Sequence, residues 1–209
     1  MKIKRAPLRI GLVFAVISMI LIGEWAWLRA SDARGDRPDS SETGITFAPF
    51  EVDFSLIDQN ENPLSLNDLG DRHALVLFGY THCPDVCPTE LSNMAAVLES
   101  LGDFAGALRP LFITVDPERD TAAVLADYVS AFDDRIIGLT GSVEQVRAAA
   151  QAFRVYAARV GDGSDYLMDH NAALFLVAPG GKVAAYFRPD ATTDSIAETI
   201  RTALDRVGS

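Results

Sequence analysis

The chain has only two cysteines and three histidines in 209 residues, which excludes a disulfide-dense scaffold and a four-cysteine structural zinc site. It is also poor in positive charge, with 18 Lys and Arg against 29 Asp and Glu and a formal charge of −11. That is the wrong sign for a protein whose affinity comes from neutralising phosphates, so no nucleic acid partner is expected. No internal repeat is visible. Hydrophobic residues nevertheless make up 49% of the chain, which excludes wholesale disorder. The length suits one domain of about 150 residues plus an appendage.

A single long apolar run occurs, from Ile10 to Leu28, with Glu24 as its only charge. As a helix it would measure about 28 Å, against a hydrocarbon core of about 30 Å. Lys2, Lys4, Arg5 and Arg9 precede it without an acid among them, so the positive-inside rule keeps the tail in the cytoplasm and exports the chain beyond Leu28. Trp25 and Trp27 suit the outer interfacial belt. The competing reading is a cleaved signal peptide, but Leu28-Arg29-Ala30 fits the small-x-small cleavage requirement poorly. The tail is too short for an organelle transit peptide, which favours a bacterial inner membrane. The expected organisation is a cytoplasmic tail over 1–9, a transmembrane anchor over 10–28, a polar linker over 29–48 and a periplasmic domain over 49–209.

Within that domain, an alternating segment from Phe50 followed by turn chemistry at Asn60 and Pro63 reads as a hairpin-like entry. Short apolar runs then alternate with helical patterns. Strands are expected at 74–80, 111–115, 136–140, 173–178 and 182–187, and helices at about 88–101, 121–132, 142–154 and 193–207. Runs that are apolar at successive positions are buried on both faces, so the expected class is α/β, a central sheet with helices on both sides. Asp120 or Thr121, Ser142, and Thr193 or Asp194 are the expected helix caps. Pro179-Gly180-Gly181 forms a tight turn that makes the last two strands antiparallel.

Both cysteines, Cys83 and Cys87, fall in FGYTHCPDVCPTEL, directly after the first buried strand. Pro84 and Pro88 place this segment in a loop and a first helical turn. A helix N-terminus favours thiolate, which is both nucleophile and metal ligand, so lowered thiol pKa values are expected. Three readings compete: a structural disulfide, a thioredoxin-type redox dithiol with one residue more than the usual C-x-x-C, and a metal site. Two thiolates and one imidazole satisfy Cu(I), whereas zinc would want a fourth ligand. His73, in the polar stretch NDLGDRHA, reads as exposed and solvated. His82 adjoins Cys83 and points apart from it, so it tunes the thiol at most. His170, in DYLMDHNAALFLV, stands evenly between ligand and loop histidine.

Taken together, FGYTHCPDVCPTEL, LFITVDPERDT and DYLMDHNAALFLVAPGG resemble, in order and spacing, the motifs of the Sco/SenC family of thioredoxin-like copper chaperones. The resemblance implies a thioredoxin-like fold and copper bound by Cys83, Cys87 and His170, with Asp169 as a carboxylate orienting the imidazole. It implies delivery of copper to the CuA site of cytochrome c oxidase subunit II, with a copper donor protein and a thiol reductant as further partners. It also places the DPERDT segment, Asp116 to Thr121, near the copper site; read from the residues alone, this segment ends a strand and caps a helix. The alternatives are a thiol–disulfide oxidoreductase using a Cys83–Cys87 disulfide, or a copper or redox sensor. Thioredoxin-like oxidoreductases place a cis-proline where this chain has His170.

Overall fold

The computed structural model describes residues 50–205. The expected tail, anchor and linker all lie outside the described residues, among which no helix is long and apolar enough to cross a membrane.

The entry hairpin is β1 (Ser55–Asp58) and β2 (Pro63–Ser65), closed by Asp58, whose carboxylate accepts the N–H groups of Asn60 and Asn62. The run His73–Gly79 forms β3, and all seven of its residues are buried. Next come α1 (Val86–Leu101), β4 (Leu108–Thr114), α2 (Ala122–Ser130), β5 (Ile137–Thr140) and α3 (Val143–Ala152). A small hairpin, β6 (Ala157–Val160) and β7 (Leu167–His170), precedes β8 (Leu174–Val177), β9 (Val183–Phe187) and α4 (Thr193–Asp205).

Seven strands make one mixed sheet in the order β2-β1-β5-β4-β3-β8-β9. The centre, β3-β4-β5, is parallel, and β8 joins β3 antiparallel. Alternation along β3 sends Leu75 and Leu77 to one face and Ala74, Val76 and Phe78 to the other. The first set packs with α1, α2 and α4, through Leu91, Leu98, Leu125 and Ile196. The second packs with α3, through Val146, Ala149 and Phe153, and with the entry segment at Phe54 and Leu56. Helices thus cover both faces, as the doubly apolar strands require.

Two of the three expected caps are found, while at α4 Thr193 is already helical and the hydroxyl of Thr192 accepts the Ser195 N–H instead. Thr121 caps α2, its hydroxyl accepting the N–H of Val124, and Ser142 with Gln145 forms a capping box on α3. Asp120 is free for another task. The Pro179-Gly180-Gly181 turn joins an antiparallel β8–β9 pair. Gly181 adopts φ 90°, and a Cβ there would lie 2.4 Å from the Val52 carbonyl oxygen, so the turn and the entry chain meet where only glycine fits.

Three expectations need correction. β4 begins at Leu108, three residues early, and includes Pro110; register with β5 starts only at Leu111, so the missing N–H falls where β4 has one neighbour. His73, expected to be solvated, opens β3 and is 2% exposed. The β6–β7 hairpin was not expected, because its strands carry no apolar run.

Candidate metal centre

The cysteines stand where β3 gives way to α1. Gly79 closes β3, and its missing side chain matters: a Cβ there would lie 2.7 Å from the Phe112 ring and 2.8 Å from Cys87 Sγ. Only a bare backbone lets the thiol sink against the sheet. The chain turns at Thr81 and His82 and bends at Pro84, Asp85 is the N-cap and α1 starts at Val86, which puts Cys87 in the first turn beside Pro88. Cys83, four residues earlier, is half-buried, and its sulfur accepts the Cys87 N–H at 3.4 Å. Both cysteines are free thiols.

The third element comes from the far end of the chain. His170 ends β7, and its Nε2 lies 3.5 Å from Cys87 Sγ, across 83 residues of sequence. Its Nδ1 is 3.2 Å from the Met168 carbonyl oxygen. A carbonyl can only accept, so Nδ1 carries the proton and the Nε2 lone pair faces the thiol. The ring also packs edge-on against Tyr80, centroids 5.5 Å apart. Burial pushes the His170 pKa below its ordinary value, against smaller opposing effects from the Met168 carbonyl and Asp169, so the imidazole is neutral and able to ligate.

Cys87 departs from the lowered pKa expected of thiols here. It is completely buried, and desolvation pushes its pKa well above the ordinary thiol value, with Cys83 and Asp120 adding to the effect. Burial therefore outweighs the helix N-terminus, and the resting Cys87 is a protonated thiol. A metal binding there displaces that proton.

Of the residues singled out in the sequence, Cys83, Cys87 and His170 come together. His82 stands exposed, its Nδ1 3.1 Å from the Thr81 hydroxyl, and His73 lies at the opposite end of β3. Asp169 is exposed and pairs across the hairpin with Ala158, and the imidazole Nδ1 meets Met168 rather than this carboxylate. Among the described residues, no three His, Cys, Asp or Glu side chains form a closed ligand cluster. The arrangement is an open one, with two donors in contact and Cys83 one helical turn away.

Several neighbours escaped the sequence reading. The fully buried carboxylate of Asp120 accepts the Thr81 N–H at 3.0 Å and the Thr81 and Thr114 hydroxyls at 2.6 Å each. Asp116 accepts the Tyr166 hydroxyl at 2.6 Å and the Arg119 Nε–H. An Asp-Pro-x-x-Asp segment after a buried strand was the available signal, but a capping role explained it equally well. A cavity of about 540 Å³ opens behind the hairpin, against Val146, Arg159, Tyr166 and Met168.

Comparison with known proteins finds a consistent set of relatives. The SCO1/SenC family model matches residues 43–205. The bovine mitochondrial SCO2 homologue is 38% identical over 194 residues, covering 91% of this chain and 73% of its own. The copper-bound structure of ScoI from Bradyrhizobium japonicum superimposes with a TM-score of 0.68 at 37% identity, covering 73% of this chain and 98% of its own. BsSco, described as a member of the Sco family of cytochrome c oxidase assembly proteins with a disulfide switch, is 26% identical with a TM-score of 0.61, covering 74% and 93%.

Proposed function

This chain belongs to the SCO1/SenC family, and from that premise we propose that it carries copper on Cys83, Cys87 and His170 and delivers it during cytochrome c oxidase assembly. Copper is cargo here and leaves by ligand exchange. The observation that carries the reading is the 3.5 Å approach of His170 Nε2 to Cys87 Sγ, with Cys83 one turn away. Two soft sulfurs and a neutral imidazole suit Cu(I), and a copper-bound relative of the same fold supports the choice of metal. The recipient we propose is the CuA site of oxidase subunit II. A copper donor protein would load the site, and a thiol reductant would keep the pair reduced. The single-pass inner-membrane anchor read from residues 10–28, with the domain in the periplasm, belongs to the same proposal.

Transfer also explains the openness of the site. A ligand set closed on all sides would hold the ion against its recipient, whereas a half-exposed Cys83 offers a point of entry for an incoming thiolate.

The second reading is thiol–disulfide exchange on the recipient's cysteines, and the disulfide switch of BsSco favours it. Here Cys83 would be the attacking thiol, since buried and protonated Cys87 is a poor nucleophile. An anaerobic Cu(I) titration of the reduced full-length chain against a competing chelator separates the two. The expected result is one tight copper per chain, weakened at least about tenfold by His170→Ala and more by Cys83→Ser. Weak copper binding indifferent to His170 would sink the carrier reading and leave the dithiol as the working group.

A further inference from the structure

The Asp116 to Asp120 segment touches both halves of the centre, and it does so through separate side chains. Asp120 serves the cysteine half: its three accepted hydrogen bonds fix Thr81, two residues before Cys83, against β4. Asp116 and Arg119 serve the histidine half. Arg119 donates from Nε to Asp116 and from Nη1 to the carbonyl oxygens of Tyr166, at 3.0 Å, and Ser164, at 3.4 Å. Its guanidinium lies 3.6 Å from the centroid of the Tyr166 ring, and the Tyr166 hydroxyl returns to Asp116. These bonds hold the chain just where it enters β7, four residues before His170. The same guanidinium stands 5.8 Å from the Tyr80 ring, which in turn packs against His170.

Two features argue that this latch does more than fill space. Arg119 Nη2 is buried without a hydrogen-bond partner, an arrangement that stability alone disfavours. The hairpin it grips is lightly covered, since Leu167, Asp169, Ala157, Arg159 and Val160 are all exposed and Met168 alone among the apolar side chains of its strands packs against the core.

We propose that Arg119, acting with Asp116 and Tyr166, is a positioning residue that holds His170 opposite Cys87, while the Asp120 carboxylate holds the cysteine loop. The inference rests on the copper reading of the centre. The latch governs the imidazole ligand alone, and releasing it leaves the two sulfurs in place.

The test uses the reduced full-length chain under anaerobic conditions, with Cu(I) affinity measured by chelator competition and the Cu(II) form examined for imidazole-nitrogen hyperfine coupling. Arg119→Ala is expected to weaken copper by about 10- to 100-fold, the usual cost of losing a group that orients a ligand, and to reduce the nitrogen coupling. In the His170→Ala background the same substitution is expected to change nothing, because the group it positions is gone. Tyr166→Phe, which removes one hydroxyl and keeps the ring, is expected to give a smaller loss of the same kind, and it stands in if Arg119→Ala does not fold. Full affinity and coupling in Arg119→Ala, or equal losses with and without His170, would overturn the proposal. Indifference of the otherwise unaltered chain to His170→Ala would overturn the copper reading as well, and is recognised without touching Arg119.

Discussion

All seven residues of β3 are buried between two layers of helices, whereas in β7 Leu167 and Asp169 are exposed and Met168 and His170 only partly covered. β7 ends at the proposed ligand His170, and β3 ends at Gly79, just ahead of the loop that carries Cys83. The cysteine side is thus mounted on the best-packed element of the molecule, and the histidine side on a two-stranded hairpin outside the main sheet. An isolated pair of strands is marginal by itself, so the hairpin needs ties beyond its own ladder: Met168 on the core, Asn171 bonded to Tyr156, and the polar latch at Asp116, Arg119 and Tyr166. The lesson is a division of labour: one half of the centre is fixed by the core, and the other sits on a lightly covered hairpin tied down by a polar latch.

The widest way to expose this asymmetry is to truncate one residue on each side. Leu77→Ala removes a fully buried side chain at the centre of the sheet and is expected to cost about 2–5 kcal/mol. Leu167→Ala on the hairpin, where 48% of the residue is exposed, is expected to fall within about 0.5 kcal/mol of the parent. Chemical denaturation of both variants checks the ratio; comparable losses would mean that the hairpin is as firmly built as the core.

Gly79→Ala attacks the comparison at the joint. The added methyl would press on Phe112 and on Cys87 Sγ, both under 3 Å away, and overpacking of this kind costs about 1–3 kcal/mol. It also shifts the thiol that His170 faces, so copper affinity is expected to fall together with stability. Chelator competition and a denaturation curve on the same variant would show whether the two move together.

Protonation acts on both sides at once. His73 beneath the core and His170 on the hairpin both have pKa values pushed below the ordinary 6.5 by burial. The unfolded chain then binds more protons than the folded one, so stability is lost as pH falls below 6.5 and levels off once the folded imidazoles charge. Each imidazole contributes at most about 1.4 kcal/mol per pH unit within that window. His73→Gln should remove its share of the slope, measured as the change in denaturation midpoint between pH 7 and 5. A slope unchanged in both His73→Gln and His170→Ala would mean that neither ring is held neutral by burial.

The same asymmetry decided what could be read from the sequence. β3, β8 and the helices beneath them announce themselves because a doubly covered strand must be apolar at successive positions, and Ser142 with Gln145 declares a helix start by chemistry that needs no partner. The Cys83–Cys87 pair was legible for the same reason, since its prolines fix the local backbone. β6 and β7 left no such mark: Ala157 to Val160 and Leu167 to His170 are stabilised by pairing with each other, a relation that periodicity within one segment does not express. The burial of His73 and the raised pKa of Cys87 likewise belong to what surrounds them in space. So does the split role of Asp116 and Asp120, which distances decide and spacing does not.

The smallest effect is expected where the chain leaves the core for the hairpin. Arg154 lies just past α3 in the left-handed region, φ 57°, with its N–H bonded to the Gln151 carbonyl and that of Val155 to the Ala150 carbonyl. Glycine is the usual residue at such a helix end, and a side chain there costs about 1 kcal/mol. Arg154 offsets this by stacking its guanidinium 4.3 Å from the centroid of the Phe50 ring, a contact worth about 0.5–1 kcal/mol where exposed. Arg154→Gly therefore exchanges one contribution for the other and should leave stability within about 0.5 kcal/mol of the parent. In a Phe50→Leu background the cation has nothing to stack on, and there the same substitution should stabilise. Denaturation midpoints for the four chains of this cycle give the coupling directly. A coupling of zero would show that Arg154 is retained for some reason other than Phe50, and that the joint between core and hairpin is held by backbone geometry alone.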